Sequence, residues 1–250
     1  MGSRPKLTLA LFSSIVLGPS LLGCATGKDS PARSPDDAAI VVESEPRDSV
    51  SERDPTLALV NLEDRLIGAQ RVEFEFEIES EGALVSHFRG RVRWLRDAEL
   101  SLVATGDFAG QAQALELRAD ATTMTSFVEG SERWSGARPP ALIEALVLGL
   151  THMGLLHNLA LLTGGMGPDH AEGGAREWLA TDERELGPAQ TRAGVLARPL
   201  AFVIVVSHEP VGRATLWLDE RGLPIEREQV VHFPEGDMRV VERYSNFVLE

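Results

Sequence analysis

The clearest hydrophobic pattern in the chain is a strict alternation of apolar and charged residues at positions 71–79. A period of two places the apolar side chains on one face of a β-strand and the glutamates on the other. After a turn at 80–82, residues 83–95 carry apolar residues on one face and arginines on the other, which predicts a hairpin with glutamate–arginine pairs on its charged side. This division is typical of an antiparallel sheet that is covered on one face only.

Shorter stretches of the same kind predict further strands in both halves of the chain, separated by turns rich in Gly, Asp and Ser. The succession of short strands predicts one antiparallel meander that stops near 138–140 and a second in the last third of the chain. The predicted strands are 99–105, 111–118 and 122–128 in the first meander and 200–207, 213–218, 225–233 and 238–249 in the second, with 176–181 as a further candidate.

Helical spacing of apolar residues occurs at the start of the folded region. Asp54 followed by Pro55 is typical of an N-cap with proline in the first helical position. Leucines at 59, 62 and 66 then recur at helical spacing up to Gly68. We therefore expect a short amphipathic helix to open the domain.

The one long apolar stretch after the N-terminal region covers residues 141–163. It predicts one bent helix or two, loosened at Gly149 and Gly154, and a helix that is apolar on nearly all sides must be buried. A membrane span is the alternative interpretation. Polar residues such as Glu144 and His152 disfavour it, because such groups are costly in lipid.

The first 24 residues have the three parts of a signal peptide: positive charges at Arg4 and Lys6, an apolar run at 7–22, and the small residue Gly23 before Cys24. The ending Leu-Leu-Gly-Cys resembles the bacterial lipobox, which implies cleavage between Gly23 and Cys24 and acylation of the Cys24 thiol. Two or three acyl chains anchor a protein stably, at about 0.8 kcal/mol per buried CH₂. An ordinary signal peptide with a chance cysteine is the alternative.

A polar segment follows the cysteine and contains one apolar patch, at 38–42. It cannot bury enough apolar surface to offset chain entropy, so we expect a disordered tether with a root-mean-square reach of roughly 30 Å. The predicted organisation is a signal peptide at 1–23, a lipidated Cys24 with its tether at 24–54, and a folded domain at 55–250. Ala25 and not Asp follows the cysteine. In the proteobacterial sorting pattern that this resembles, the absence of Asp implies the outer membrane, so we expect its periplasmic face.

Composition narrows the classes of function. The chain has 250 residues, 43% of them hydrophobic, which permits a substantial core. A formal net charge of −14 disfavours nucleic acid as a partner and disfavours adhesion to anionic headgroups. The single cysteine excludes a disulfide framework and any multi-cysteine metal site.

No catalytic constellation emerges from the motifs. Phosphate-binding loops, the G-x-S-x-G elbow and the H-E-x-x-H helix are absent from the sequence. His152 and His157 would point about 140° apart on one helix, so we expect core histidines and not joint metal ligands. The most ligand-like cluster, Asp169-His170 with Glu172, lies in a glycine-rich loop that would carry such residues in any case. We therefore predict no enzyme, cofactor or metal, and a hydrolase acting from this loop is a remote alternative.

Two segments near the C-terminus carry a resemblance to a known group of proteins. The strand ending in Asp219 that turns at Gly222-Leu223-Pro224, and the closing strand at 241–247, are similar to the recurring hairpin and last strand of the LolA/LolB-type lipoprotein carriers. The resemblance spans about 55–249 and implies an α+β, mainly β, fold. In this fold a strongly curved antiparallel sheet forms an incomplete β-barrel, and helices cover its concave apolar face.

Such a fold can admit acyl chains, so we expect a non-enzymatic envelope lipoprotein that binds a lipid or an acylated protein between sheet and helices. The same apolar residues would equally form a plain packed core. The alternative function is an envelope sensor or structural protein that docks a protein partner. The expected cavity-lining residues are Phe74, Phe76, Phe88, Trp94, Leu146, Leu150 and Leu155.

Overall fold

The computed structural model describes residues 54–164 and 175–250. The predicted signal peptide, Cys24, the tether and the cluster Asp169-His170-Glu172 lie outside these residues. The first part contains α1 (Pro55–Gly68), β1 (Arg71–Gly82), β2 (Ser86–Leu95), β3 (Glu99–Phe108), β4 (Gln111–Ala119), β5 (Thr123–Val128), β6 (Ser131–Ala137), α2 (Leu142–Leu148), a π-helical turn (Gly149–Met153) and α3 (Leu155–Thr163). The second contains α4 (Ala175–Trp178), β7 (Leu179–Leu186), β8 (Gln190–Arg192), β9 (Val195–Val206), β10 (Glu209–Asp219), β11 (Pro224–Phe233) and β12 (Gly236–Leu249).

The strands form one antiparallel sheet in the order β6-β5-β4-β3-β2-β1-β12-β11-β10-β9-β7, with β8 pairing on β9. Among the described residues the sheet does not close, since β6 and β7 form its two free edges, and the helices at 142–163 and 175–178 come between these two strands in the sequence. The buried apolar faces of the strands and the helices share one hydrophobic core. The predicted α+β, mainly β, incomplete barrel is thereby confirmed.

Helix α1 begins as its N-cap predicts. The Asp54 carboxylate accepts hydrogen bonds from the backbone N–H groups of Thr56 (2.8 Å) and Leu57 (3.3 Å), which have no partner within the helix. The predicted leucines 59, 62 and 66 form the buried face of α1. The sequence therefore determines both where this helix begins and which side it buries.

The hairpin of β1 and β2 has the predicted two faces. The apolar residues of β1 are buried, and three of its glutamates, at 73, 75 and 77, lie opposite arginines of β2. Arg91 lies 2.9 Å from Glu75 and 3.7 Å from Glu73 on the solvent face. The period-two pattern thus correctly predicted both the core side and the charged side.

The long apolar segment forms two α-helices joined by the π-helical turn. Gly154 breaks it with a φ of 86°, a left-handed value that favours glycine, and the two halves are bent by 118°. Among the described residues no single helix is long and apolar enough to cross a membrane, and this bent pair meets that description only when its halves are taken together.

The structure differs from the sequence-based prediction at two places. The first meander ends where predicted, before 138–140, but it includes a strand that was not predicted, the edge strand β6 at 131–137. None of the residues of β6 is buried, so alternation gives no signal there. The candidate strand at 176–181 begins as helix α4 and becomes strand only from Leu179. Trp178 ends that helix, with its ring 6.2 Å from the ring of His157.

Candidate functional site

Four polar side chains meet inside the otherwise apolar core. We call them the polar centre: Arg227 and Gln229 of β11 with Glu242 and Tyr244 of β12. Arg227 and Glu242 lie directly opposite each other in the register of the two strands, and both are 0% exposed. Glu242 lies two residues after the buried Val240 on β12, at a position where the alternation of this strand predicts an apolar residue.

Arg227 joins the sheet to the helical layer, a name that we use for α2, the π-helical turn and α3. Its Nη1 donates to the backbone oxygen of Thr151 at 2.9 Å, and its Nη2 donates to that of His152. Within β11 its Nε donates to Gln229 Oε1 at 3.0 Å. The guanidinium also lies 5.3 Å from the ring centroid of Phe202, a cation–π distance. The π-helical turn is therefore held to the sheet by a buried cation.

Glu242 holds the next helix at its N-terminus. Its two carboxylate oxygens accept the backbone N–H groups of Leu155 and Leu156, each at 2.9 Å, and Tyr244 donates its hydroxyl to the same carboxylate. A carboxylate here satisfies orphan donors and complements the helix dipole. A Cβ at Gly154 would lie 2.6 Å from a Glu242 oxygen, so this approach requires glycine.

The electrostatics of the polar centre follow from its burial. Burial lowers the pKa of Arg227, and the negative charge of Glu242 opposes this shift. Burial raises the pKa of Tyr244 well above its usual value, and Glu242 raises it further. Tyr244 is therefore held as a neutral donor beside the carboxylate.

A second buried carboxylate holds the same π-helical turn from helix α1. Glu63 Oε1 lies 2.7 Å from His152 Nε2 and accepts from Thr151 Oγ1 at 3.2 Å, while Glu63 Oε2 lies 3.1 Å from Arg176 of α4. Burial raises the pKa of Glu63, but His152, Arg176 and Thr151 together lower it by more, so the pKa lies below its ordinary value. Arg176 also donates to Glu144 at 2.8 Å.

The helical layer thus has two polar attachments, both at residues 149–156. Glu63 binds side chains of the π-helical turn, and Arg227 and Glu242 bind backbone groups of that turn and of α3. π-Helical turns often occur at functional positions. Among the described residues no group of three or more metal-ligating side chains could hold a metal ion. The arrangement is suited to positioning helices.

The seven predicted cavity residues all lie in the shared hydrophobic core, and each is at most 4% exposed. Phe74 packs edge-on against Trp94, with ring centroids 6.5 Å apart, and the three leucines belong to the helical layer. Trp94 Nε1 is buried and has no hydrogen-bond partner among the described residues. An unpaired buried donor of this kind costs about 1–3 kcal/mol.

The opposite face of the sheet carries a groove of about 920 Å³ across β12, β1, β2 and β3. Its floor is a cross-strand row of residues in the inward register, which place no outward side chain in the groove: Tyr244, Phe76, Gly90 and Ala104. Two rows of outward side chains form its walls. One wall consists of Arg243, Glu77, Arg89 and Thr105, and the other of Ser245, Glu75, Arg91 and Val103.

Sequence reasoning missed the polar centre although a signal was present. Val240, Glu242 and Tyr244 share the inward register of a predicted strand, so the carboxylate stood among residues expected to be buried. Glu63 likewise lies four residues after Leu59 on the apolar side of α1. A charged residue in a buried register is the feature that identifies both attachments.

Comparisons with known proteins give similar folds only. No family model matches the chain, and no curated protein does. Similar solved structures include MucB in the MucA/MucB complex of Pseudomonas aeruginosa (16% identity, TM-score 0.37, 78% of this chain and 56% of that chain). A LolA superfamily protein from Nitrosomonas europaea has 11% identity and a TM-score of 0.34 over 78% of this chain and 93% of that one.

A β-barrel-like DUF1849 protein from Brucella abortus is also similar, with 10% identity and a TM-score of 0.34 over 73% of this chain and 98% of that one. The predicted resemblance to LolA-type proteins is confirmed, since such proteins are among these structures. This chain spans little more than half of the MucB-containing chain. All three TM-scores lie below 0.5, so any function must be argued from this chain's own residues.

Proposed function

We propose that this protein is a lipid-anchored bacterial envelope protein that binds an acyl chain between its sheet and its helices and catalyses no reaction. The observation that supports this most is the polar attachment of the helical layer by Arg227 and Glu242. Leucine-rich helices on an apolar sheet would pack stably without buried charges, and buried charges are a costly way to gain stability. Attachment at a few defined polar contacts is suited to a cover that opens as a unit.

The layer that opens would be α2, the π-helical turn and α3. This layer shares one hydrophobic core with Phe74, Phe88 and Trp94, so its opening would expose apolar core surface to an acyl chain. The unpaired Nε1 of Trp94 would donate to an ester or carboxylate oxygen of the ligand. The expected ligand is therefore a lipid, or the acyl chain of an acylated protein.

The location proposed for the protein rests on its sequence. Residues 1–23 would be removed and Cys24 acylated, so that residues 24–54 tether the domain to the periplasmic face of the outer membrane. A tethered binding domain would meet acyl chains at high local concentration.

Lipid extraction tests the proposed function. The mature chain carrying Cys24→Ser would be purified without detergent, and its bound lipids identified by mass spectrometry. We expect fatty acid or phospholipid in near-stoichiometric amount, and uptake of a fluorescent fatty acid. Leu146→Phe, which adds bulk to the buried side of the helical layer, should reduce uptake, whereas Leu57→Phe on the exposed side of α1 should not. A ligand-free protein that takes up no fatty acid would overturn the proposal.

A second candidate function, docking of an envelope protein, is favoured by the groove on the outer face. Its walls carry both arginines and glutamates, which suits an extended segment with charges of both signs. Crosslinking in intact envelopes should then recover one stoichiometric partner, and Arg89→Glu should abolish its capture. Retention of that partner by Arg89→Glu would show that the groove is not the docking surface.

A further inference from the structure

A pocket of about 450 Å³ lies at the end of the sheet beside helix α1. Ala58 and Leu62 of α1 form one wall, and Leu196 of β9 and Leu218 of β10 contribute to the other. Leu196 is 47% exposed and leaves apolar surface open beside this pocket. Leu57 and Val60 of α1 are also more than 40% exposed. This end of the domain therefore offers apolar surface that the described residues do not cover.

The rim of this pocket carries positive charge. Arg65, Arg198 and Arg221 line it together with Asp219 and Glu220. Arg221 pairs with Asp219 at 2.9 Å, whereas Arg65 donates to the backbone oxygen of Arg221 at 2.6 Å. Within the described residues Arg65 makes no ion pair with a carboxylate. An occupant that carries acidic residues around an apolar centre would complement this rim.

The chain itself contains such a segment. Residues 38–42, Ala-Ala-Ile-Val-Val, are the one apolar patch between Cys24 and Asp54. Asp36 and Asp37 precede the patch, and Glu43 and Glu45 follow it. Its order of acidic, apolar and acidic residues matches the apolar pocket and its arginine rim.

The connection is long enough for this segment to fold back. About a dozen residues join Val42 to Asp54 and can span up to roughly 40 Å when extended. The wall residues Ala58 to Arg65 lie only about 6–17 Å beyond Asp54 along the axis of α1. A segment attached so close to its site has an effective concentration in the millimolar range, so weak contacts suffice to hold it.

We propose that residues 38–42 dock in this pocket, with their flanking carboxylates on the arginine rim. The contact leaves only the residues between Cys24 and Ala38 as free tether, so the root-mean-square reach falls from roughly 30 Å to roughly 20 Å. Docking holds the domain close to the surface to which Cys24 is attached, and release lets it extend. The pocket then regulates the distance between domain and membrane.

Disulfide formation between two introduced cysteines tests this contact in the full protein, purified from membranes and held in lipid nanodiscs. Ser44→Cys lies just beyond the apolar patch, and Ala189→Cys lies at the exposed edge of the pocket. Mild oxidation should join them rapidly within one chain. Peptide mass spectrometry identifies the linked cysteines, so a crosslink between positions 44 and 189 is distinguished from one that involves Cys24, and the result does not depend on whether the core binds an acyl chain.

The matched control keeps the same cysteine pair and the same chain length but carries Ile40→Ser and Val41→Ser, substitutions outside the folded domain. We expect crosslinking in this control to be at least about tenfold slower, equivalent to 1.4 kcal/mol or more. Equal rates in the two proteins would overturn the proposal, because they would show a free tether. Linked peptides from two different chains, recognised in a mixture of ¹⁵N-labelled and unlabelled protein, would also overturn it and assign the pocket to a second copy.

Discussion

An arginine and a glutamate lie opposite each other on neighbouring strands on both faces of this sheet, but their surroundings differ. On the outer face, Arg91 and Glu75 pair at 2.9 Å with both side chains more than 40% exposed. On the inner face, Arg227 and Glu242 are completely buried, and both bind backbone groups of the helical layer. The outer charges are solvated by water, whereas the inner charges are solvated by helix termini and carbonyl groups.

Register and environment, and not residue type, decide what a charged side chain does in this sheet. Exposed pairs contribute little to stability because water competes for them. Buried charges are costly to desolvate, and removing one partner leaves the other unpaired in a medium of low dielectric constant. The outer pairs are therefore replaceable, whereas the inner ones determine where the helices attach.

The largest effect is expected for Glu242→Ala. The substitution leaves the N–H groups of Leu155 and Leu156 unpaired and removes the negative charge facing Arg227, so the free energy of unfolding should fall by about 3–5 kcal/mol. Urea denaturation measures it. Glu79→Ala, which breaks the exposed 3.3 Å pair with Arg243, is the control and should cost about 0–1 kcal/mol. Equal losses would refute the difference between the faces.

The double variant Arg227→Met/Glu242→Leu tests whether the two buried charges depend on each other. Replacing both buried charges by apolar groups leaves no isolated ion, so the double variant should be more stable than the sum of the single losses predicts, by about 1–3 kcal/mol. A double-mutant cycle in urea gives this coupling energy. Strict additivity would mean that the two residues act independently.

The buried carboxylate of Glu63 in α1 should make the stability of the protein depend on pH. Because the pKa of Glu63 is lowered in the folded state, its stabilisation is complete above the ordinary Glu pKa of about 4.3 and is lost as pH falls through the lower folded value. The stability advantage of wild type over Glu63→Gln should therefore shrink below about pH 4. An advantage that stays constant down to pH 2 would contradict this account, and Glu79→Gln controls for general effects of acid.

The smallest effect is expected on the outer face itself. Arg93→Met removes an exposed pair with Glu99 at 2.8 Å, and the unfolding free energy should change by less than about 1 kcal/mol. The thermal midpoint of unfolding, measured at low and at high salt, checks this. A loss of several kcal/mol would show that the outer rows also determine the fold.

Much of the fold could be predicted from the sequence because most strands here are buried on one side only. The alternation of positions 71–79 predicted β1, and the Asp54-Pro55 pair predicted the start of α1. Edge strand β6 escaped prediction because an exposed strand has no buried face to create a period. The short helix α4 escaped because four residues are too few for a helical period to develop.

The polar centre was harder to predict because its contacts depend on backbone positions far apart in sequence. Arg227 binds the backbone carbonyl groups of Thr151 and His152. Every residue has such a group, so the residue types at these positions do not reveal the contact. The register of β11 against β12 and the bend at Gly154 together bring these groups within reach. The sequence could mark Glu242 as a charge in a buried register, but not the helix N-terminus that it holds.

The helical layer is proposed to open as a unit, separately from the sheet, and hydrogen exchange of the backbone amides measures this opening residue by residue. In the mature chain carrying Cys24→Ser, the amides of Leu159 and Leu162 in α3 should exchange at least about tenfold faster than those of Ile78 and Val240 in the central strands. Added fatty acid should change the exchange rates of the α3 amides more than those of the central strands. If α3 exchanges only with global unfolding, at the rate of the central strands and without response to fatty acid, the helices are a fixed part of the core and the account is wrong.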